Sequence, residues 1–228
     1  MGVRHIELGF PIINDDLAYL CGVFAGDGSI SIRIPKNEYL LKCVWNPNDE
    51  ISFYHEILGP MFKTVFGFSP EIKYCDNGRS YGFIIYSKSL VTFLTTTIGL
   101  PIGKKYNFLK IPLVFKNNKS LVLSFIRGVF DTDGCISFKK KYKTKPYYPV
   151  ISFSSKSEPF VREIASFLKE EGFKLTEIYN YHVIDKRIEN GYTVINRIDL
   201  NGKHNLVCWM DKIKFKSPKH NFKIKKYW

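Results

Sequence analysis

Gly22-Val23-Phe24-Ala25-Gly26-Asp27-Gly28-Ser29-Ile30-Ser31-Ile32 and, 106 residues further on, Gly128-Val129-Phe130-Asp131-Thr132-Asp133-Gly134-Cys135-Ile136-Ser137-Phe138 agree at seven of eleven positions. A second pair of landmarks, Lys105-Tyr106-Asn107-Phe108 and Lys219-His220-Asn221-Phe222, agrees at three of four positions with an offset of 114. The chain therefore reads as two homologous halves, the second carrying about eight extra residues between its landmarks.

Outward from the repeat, apolar and small residues recur at helical spacing from Asn14 to Ala25, behind Asn14, Asp15 and Asp16, which suit a helix N-terminus. Ser120 to Asp131 reads the same way. After Gly28 the period becomes two, with Ser29, Ser31 and Arg33 on one face and Ile30, Ile32 and Ile34 on the other, which predicts a half-buried strand. Further strands are expected at 39–45, 71–75 and 81–87, and helices at 48–66 and 88–98. The second half repeats this as strands at 135–142, 147–154, 174–184 and 192–200, with helices at 157–171 and 204–213. The order αββαββα, twice, predicts an α+β fold of two pseudo-symmetric halves, 1–115 and 120–228, joined by the polar stretch from Lys116 to Lys119. Each half is expected to offer one sheet face to helices and the other to a partner.

The bulk composition agrees. At 228 residues, 45% apolar and 16% aromatic, the chain can bury a sizeable core, and disorder is not indicated. The 34 basic against 21 acidic residues give a net charge of +13, which suits a polyanionic partner. Five scattered cysteines without a C-x-x-C pair indicate neither a zinc site nor a disulfide framework. Neither a secretory leader nor a stretch of roughly 20 apolar residues is expected, so the reading is of an intracellular, soluble protein of the cytoplasm or an organelle matrix.

The repeated segment carries the chemistry. Gly22 and Gly26 stand four apart on the first helix, Gly128 and Thr132 on the second, so each helix has a face free of bulky side chains on which the other can approach. Such contact brings the C-terminal ends together, and with them Asp27 and Asp133, beside unsatisfied helix carbonyls at the negative ends of the dipoles. Carboxylates, carbonyls and waters make a hard-oxygen environment suited to Mg²⁺. One Asp-Gly pair after a helix is ordinarily a C-cap and turn; its duplication at matching helix-to-strand junctions in a basic chain favours a site.

Leu20-Cys21-Gly22-Val23-Phe24-Ala25-Gly26-Asp27-Gly28 and Ile126-Arg127-Gly128-Val129-Phe130-Asp131-Thr132-Asp133-Gly134 resemble the two signature motifs of single-chain LAGLIDADG homing endonucleases. The resemblance implies that the motif helices form the interface between halves and that saddle-shaped sheets lie along the major groove of double-stranded DNA. It implies metal binding by Asp27 and Asp133, with the carbonyls of Gly26 and Thr132 as further ligands and Mn²⁺ or Ca²⁺ able to take the place of Mg²⁺. It also implies polar and basic groups around the metals, here Asn46, Ser155, Lys105 and Lys219, with Lys104 as an alternative to Lys105. Cutting across the minor groove to leave short 3′ overhangs follows from the same resemblance. Ala25 stands where the second copy has Asp131, so any helix-capping role there is not shared.

Strand alternation nominates Ser29, Ser31 and Arg33 on the first sheet and Cys135, Ser137, Lys139 and Lys141 on the second for contact with DNA, with Lys73, Arg79 and Arg197 as further candidates. Lys140, Lys143 and Lys145 extend the basic run at the hairpin turn and suit phosphate. The parity of the strand holding Lys42 is ambiguous, because Leu41, Cys43 and Trp45 alternate with it. The expected protein is a monomeric endonuclease with a long pseudo-palindromic or asymmetric site. The rival is a non-cleaving nucleic-acid-binding protein or intron RNA maturase on the same scaffold. The ends, Met1 and Lys225-Lys226-Tyr227-Trp228, lack the groups that protein splicing needs, which favours a free-standing, intron-encoded enzyme over an intein.

Overall fold

The computed structural model describes residues 11–105, 108–141, 144 and 146–228, with the side chains of 48–50 outside the description. Tyr142, Lys143 and Lys145, expected near the first hairpin of the second half, lie outside the described residues.

Two motif helices form the centre. Helix α1 (Asp15–Gly26) starts where the Asn14 side chain accepts the Leu17 N–H at 2.9 Å, with Asp15 and Asp16 in its first turn. A helix over 47–66 (α2) follows the first hairpin, one over 88–98 (α3) the second, and a short one, α4 (Leu113–Lys116), the connection. Helix α5 (Lys119–Thr132) is the second motif helix, capped by the Asn118 side chain on the Ser120 and Leu121 amides. Residues 17–25 of α1 are buried on all sides, as a helix enclosed by other elements requires. The expected ends of both motif helices hold to within one residue.

Strands β1 (Gly28–Arg33), β2 (Glu38–Trp45), β3 (Lys73–Cys75) and β4 (Ser80–Tyr86) make one antiparallel sheet in the order β1-β2-β4-β3. Strands β5 (Gly134–Lys139), β6 (Tyr148–Ser155), β7 (Leu175–Ile184) and β8 (Tyr192–Asn201) make the second in the equivalent order β5-β6-β8-β7. The expected α+β fold with two pseudo-symmetric sheets is therefore the fold observed. The second half is completed by α6 (Glu158–Glu170), α7 (Gly202–Lys212) and α8 (Pro218–Tyr227).

Register fixes the faces. Ser29 pairs with Lys42 and Ser31 with Leu40, while Ile30 pairs with Leu41 and turns inward. In the second sheet Cys135 pairs with Ser152 and Ser137 with Val150, again opposite the buried Ile136. The expected inward position of Ile34 is wrong: β1 ends at Arg33, a 3-10 turn takes over at Ile34–Lys36, and Ile34 is 81% exposed. The helix over 47–66 is not uniform either. Pro60 cannot donate to the carbonyl four residues before it, and the turns just ahead, Phe53–Leu58, are wound with wider π-type bonds.

Candidate active site

The motif helices meet backbone to backbone. A Cβ on Gly22 would lie 2.0 Å from the Phe125 carbonyl oxygen, and one on Gly128 2.2 Å from that of Tyr19. Tyr19 and Phe125 are themselves 106 residues apart, so the two contacts are related by the repeat. One turn on, a Cβ on Gly26 would strike the Thr132 hydroxyl at 2.1 Å and come within 3.5 Å of the Asp133 Cγ. Thr132 fills the space that Gly26 leaves, and its hydroxyl is satisfied by the Gly128 and Val129 carbonyls of its own helix, at 3.1 and 3.0 Å.

Asp27 and Asp133 are the C-caps of α1 and α5. Lys105 reaches the end of α1. Its ammonium donates to the carbonyls of Phe24 at 3.2 Å, Ala25 at 2.9 Å and Gly26 at 2.5 Å, the last turn of α1. Burial lowers its pKa, while the charges of Asp133 and Asp27 pull it back up. The ammonium lies where the dipole and last carbonyls of α1 attract cations, next to the interface at which a Cβ on Gly26 would come within 3.5 Å of the Asp133 Cγ. Asp133 keeps an exposed edge at the floor of a cleft, yet the protein packed around it raises its pKa, with Lys105 and Lys219 opposing. Of the alternatives Lys104 and Lys105, only Lys105 makes these contacts; Lys104 is exposed at the rim.

Two clefts open on the sheets, sharing the repeat-related positions Ile30 and Ile136, Ser31 and Ser137, and Lys105 and Lys219. One, of 600 Å³, is lined by Gly26, Ser29, Ser31, Lys105, Asp133 and Ser155. The other, of 660 Å³, is lined by Ser137, Lys219 and Lys223, with Ser52 and Tyr227. Of the nominated groups, Lys105 and Ser155 line the first cleft and Lys219 the second, while Asn46 lines neither. The Lys219 ammonium sits 5.6 Å from the centre of the Trp45 ring, beside Asn46, which is exposed past the end of β2. The Ser155 hydroxyl accepts the Ser157 N–H at 3.2 Å, at the start of α6.

Among the residues nominated for DNA, Ser29 and Arg33 lie exposed and Ser31 half-buried on the open face of the first sheet, Arg33 paired with Glu38 at 3.2 Å. Lys73 is exposed and paired with Glu71 at 2.7 Å, and Arg79 is exposed at the turn before β4. Ser137 and Lys139 fall on the open face of the second sheet; Arg197 does too, pairing with Asp199 at 2.8 Å and donating to the Ser152 hydroxyl at 3.3 Å. Lys141 is a correction: β5 stops at Lys139, Lys141 turns in the left-handed region at φ 48°, and its ammonium lies 3.9 Å over the Tyr148 ring instead of standing on a strand face. Lys42, which parity left ambiguous, stands on the open face opposite Ser29, bridged to Asp76 at 2.7 Å. Its signal was obscured because its face also carries Leu40 and Val44.

Asp131 performs a task that Ala25 cannot. Fully buried, it accepts the Tyr19 hydroxyl of α1 at 2.8 Å and the Lys216 N–H at 2.9 Å, tying the other motif helix and the entry to α8 to α5. Burial pushes its pKa up to about 7, against the lowering effect of these donors. Among the described residues no cluster of three or more His, Cys, Asp or Glu side chains is placed to hold a metal, so any ion here would rest on two carboxylates and main-chain oxygen. Nor, among them, is any helix long and apolar enough to cross a membrane.

Residues 120–207 match the family described as LAGLIDADG-like domain. The chain is 30% identical over 175 residues, 77% of its length, to the glutamine–fructose-6-phosphate aminotransferase of Methanocaldococcus jannaschii, but spans only 14% of that protein. It is 24% identical over 186 residues to an uncharacterised protein of the same organism, spanning 62% of it. The crystal structure of I-DmoI in complex with DNA and Ca superposes with a TM-score of 0.62 at 14% identity, over 93% of this chain and 98% of that one. Residues 120–207 are thus similar to a LAGLIDADG-like domain, and the chain as a whole has the homing endonuclease fold.

Proposed function

We propose that this chain is a site-specific double-strand DNA endonuclease in which Asp27 and Asp133 bind divalent cations, Mg²⁺ in the first instance. The observation that carries this is the backbone contact of the motif helices, which places their C-caps Asp27 and Asp133 at one end of the interface, where a Cβ on Gly26 would lie 3.5 Å from the Asp133 Cγ and Lys105 donates to the last carbonyls of α1. The donor set fits such an ion: the carboxylates and the carbonyls of Gly26 and Thr132 are hard oxygens, and an ammonium already lies against the α1 carbonyls. I-DmoI with DNA and Ca supplies a precedent on the same fold.

When bound, a divalent cation would supply a water-derived nucleophile and stabilise the leaving oxygen. The chain's own groups do the rest. Lys105 and Lys219 face Asp133 and offer positive charge to a phosphate entering either cleft. Ser29, Ser31, Arg33, Lys42, Ser137, Lys139 and Arg197 present donors along open sheet faces of a shape that enters a major groove. One helix end serving each strand suits a monomer acting on a long, pseudo-palindromic or asymmetric site. The aminotransferase activity of the first relative is not carried over, because the match spans 14% of that protein.

A second reading, a nucleic-acid-binding protein or intron maturase that does not cut, has one observation in its favour: Lys105 already takes the Gly26 carbonyl that a metal would use. The test begins by selecting cleaved duplexes from a randomised library with and without Mg²⁺. Asp27→Asn and Asp133→Asn should each abolish double-strand cutting of the selected site while leaving binding largely intact. Full cutting by both variants refutes the metal assignment, and absence of any Mg²⁺-dependent cutting by the natural chain favours the second reading.

A further inference from the structure

The ten residues of α8 hold four lysines and no carboxylate. Its inner face is anchored by the buried His220 and Ile224, four apart, and by Tyr227, whose ring lies 5.4 Å from that of Phe138. Lys219, Lys223 and Lys226, at i, i+4 and i+7, share another face and line one cleft with Ser137 of the second sheet. The row begins at Lys219, the repeat counterpart of Lys105, whose ammonium lies against the Gly26 carbonyl at the end of α1. Its positive potential is felt locally: His220 is pushed down to about 3, first by burial and then by Lys219 and Lys223.

The equivalent positions of the first half do not carry this row. By the offset of 114, Lys219 corresponds to Lys105, but Lys223 corresponds to Leu109 and Lys226 to Pro112. Leu109 is buried, and Pro112 precedes the short helix α4. From Lys219 to Lys226 the helix rises about 10.5 Å, and one DNA strand carries a phosphate about every 3.4 Å of duplex axis. The row is therefore as long as about three phosphate-to-phosphate steps along the duplex axis.

We propose that Lys219, Lys223 and Lys226 form a phosphate ladder that grips one DNA strand as it leaves the candidate cutting centre, an asymmetric hold belonging to the second half alone. The inference rests on the duplex-binding reading above. A row of ammonium groups carries no base information, so the grip is independent of sequence.

Binding to a duplex of random sequence, measured across a salt series, tests it without knowledge of the target. Neutralising Lys223 and Lys226 together (K223Q/K226Q) should flatten the log–log salt dependence by about 1.8, at about 0.9 for each phosphate that is no longer neutralised, and weaken binding to unrelated duplexes alike. The control K63Q/K225Q removes the same charge from α2 and from a position on α8 outside the cleft, and should leave the slope near that of the natural chain. Equal slopes for the two double variants, or no change in K223Q/K226Q, overturn the ladder while leaving duplex binding intact. A flat salt response of the natural chain overturns duplex binding itself and the ladder with it.

Discussion

Gly22 and Gly128 touch through their backbones: a Cβ added to Gly22 would lie 3.0 Å from the Gly128 Cα, and one added to Gly128 would lie 3.0 Å from the Gly22 carbonyl carbon. Neither helix can move aside without opening the whole interface, because both are buried against their own sheets. Gly22→Ala and Gly128→Ala should each destabilise the chain by about 2–4 kcal/mol, the upper range for overpacking, since the obstacle is main chain. Thermal melts check this. An unchanged melting temperature in either variant would mean the helices are further apart than described.

The next contact along the same interface is complementary in another way. Gly26 is empty where Thr132 is full, and a Cβ on Gly26 would meet the Thr132 hydroxyl at 2.1 Å. Gly26→Ala alone should destabilise. In the double variant G26A/T132G the Thr132 side chain that the new methyl would strike is gone, and part of the loss should be recovered. A double-mutant cycle should give a favourable coupling of about 1–2 kcal/mol; simple additivity would show that the two positions do not touch.

These two contacts were legible in the sequence because a helix fixes which residues share a face: glycine at i with a small residue at i+4, duplicated, has few other uses. The β1 face was legible for the same reason, but only to Arg33, since nothing in Ile32-Arg33-Ile34-Pro35 says on which residue the strand gives way to its turn. Lys42 was hidden by the apolar character of its own face, where Leu40, Val44 and Ile84 alternate as a buried set would. Helix α8 was missed because its sequence is mostly lysine and its hold on the fold is tertiary, through His220, Ile224 and the donors that Asp131 accepts just before it. That Lys105 closes on α1 is invisible locally, with 79 residues separating it from Gly26.

Asp131 predicts a dependence of stability on pH. Its folded pKa of about 7 lies above the ordinary carboxylate value, so the folded state holds a proton that the unfolded chain releases. The stabilisation is complete below about pH 4 and is lost as pH rises through 7; the gap corresponds to on the order of 4 kcal/mol. Asp131→Asn keeps an acceptor for Tyr19 and Lys216 but cannot ionise. Relative to the natural chain it should therefore gain stability progressively between pH 4 and 8. A stability difference between the two proteins that does not change with pH would mean that folding leaves the Asp131 pKa unshifted.

Lys105 predicts how the centre responds to cations. Three carbonyls of α1 now receive its ammonium, and burial makes that charge costly except for the nearby carboxylates. Lys105→Met removes the donor, leaving helix-terminal carbonyls and two like charges with one cation fewer, and should cost about 1–3 kcal/mol. If the same oxygens take a divalent ion, Mg²⁺ or Mn²⁺ should raise the melting temperature of Lys105→Met more than that of the natural chain, because the ion no longer competes with an ammonium for the Gly26 carbonyl. The extra gain should vanish when Asp27→Asn and Asp133→Asn are added. Equal metal shifts with and without Lys105 would place the ion away from the end of α1.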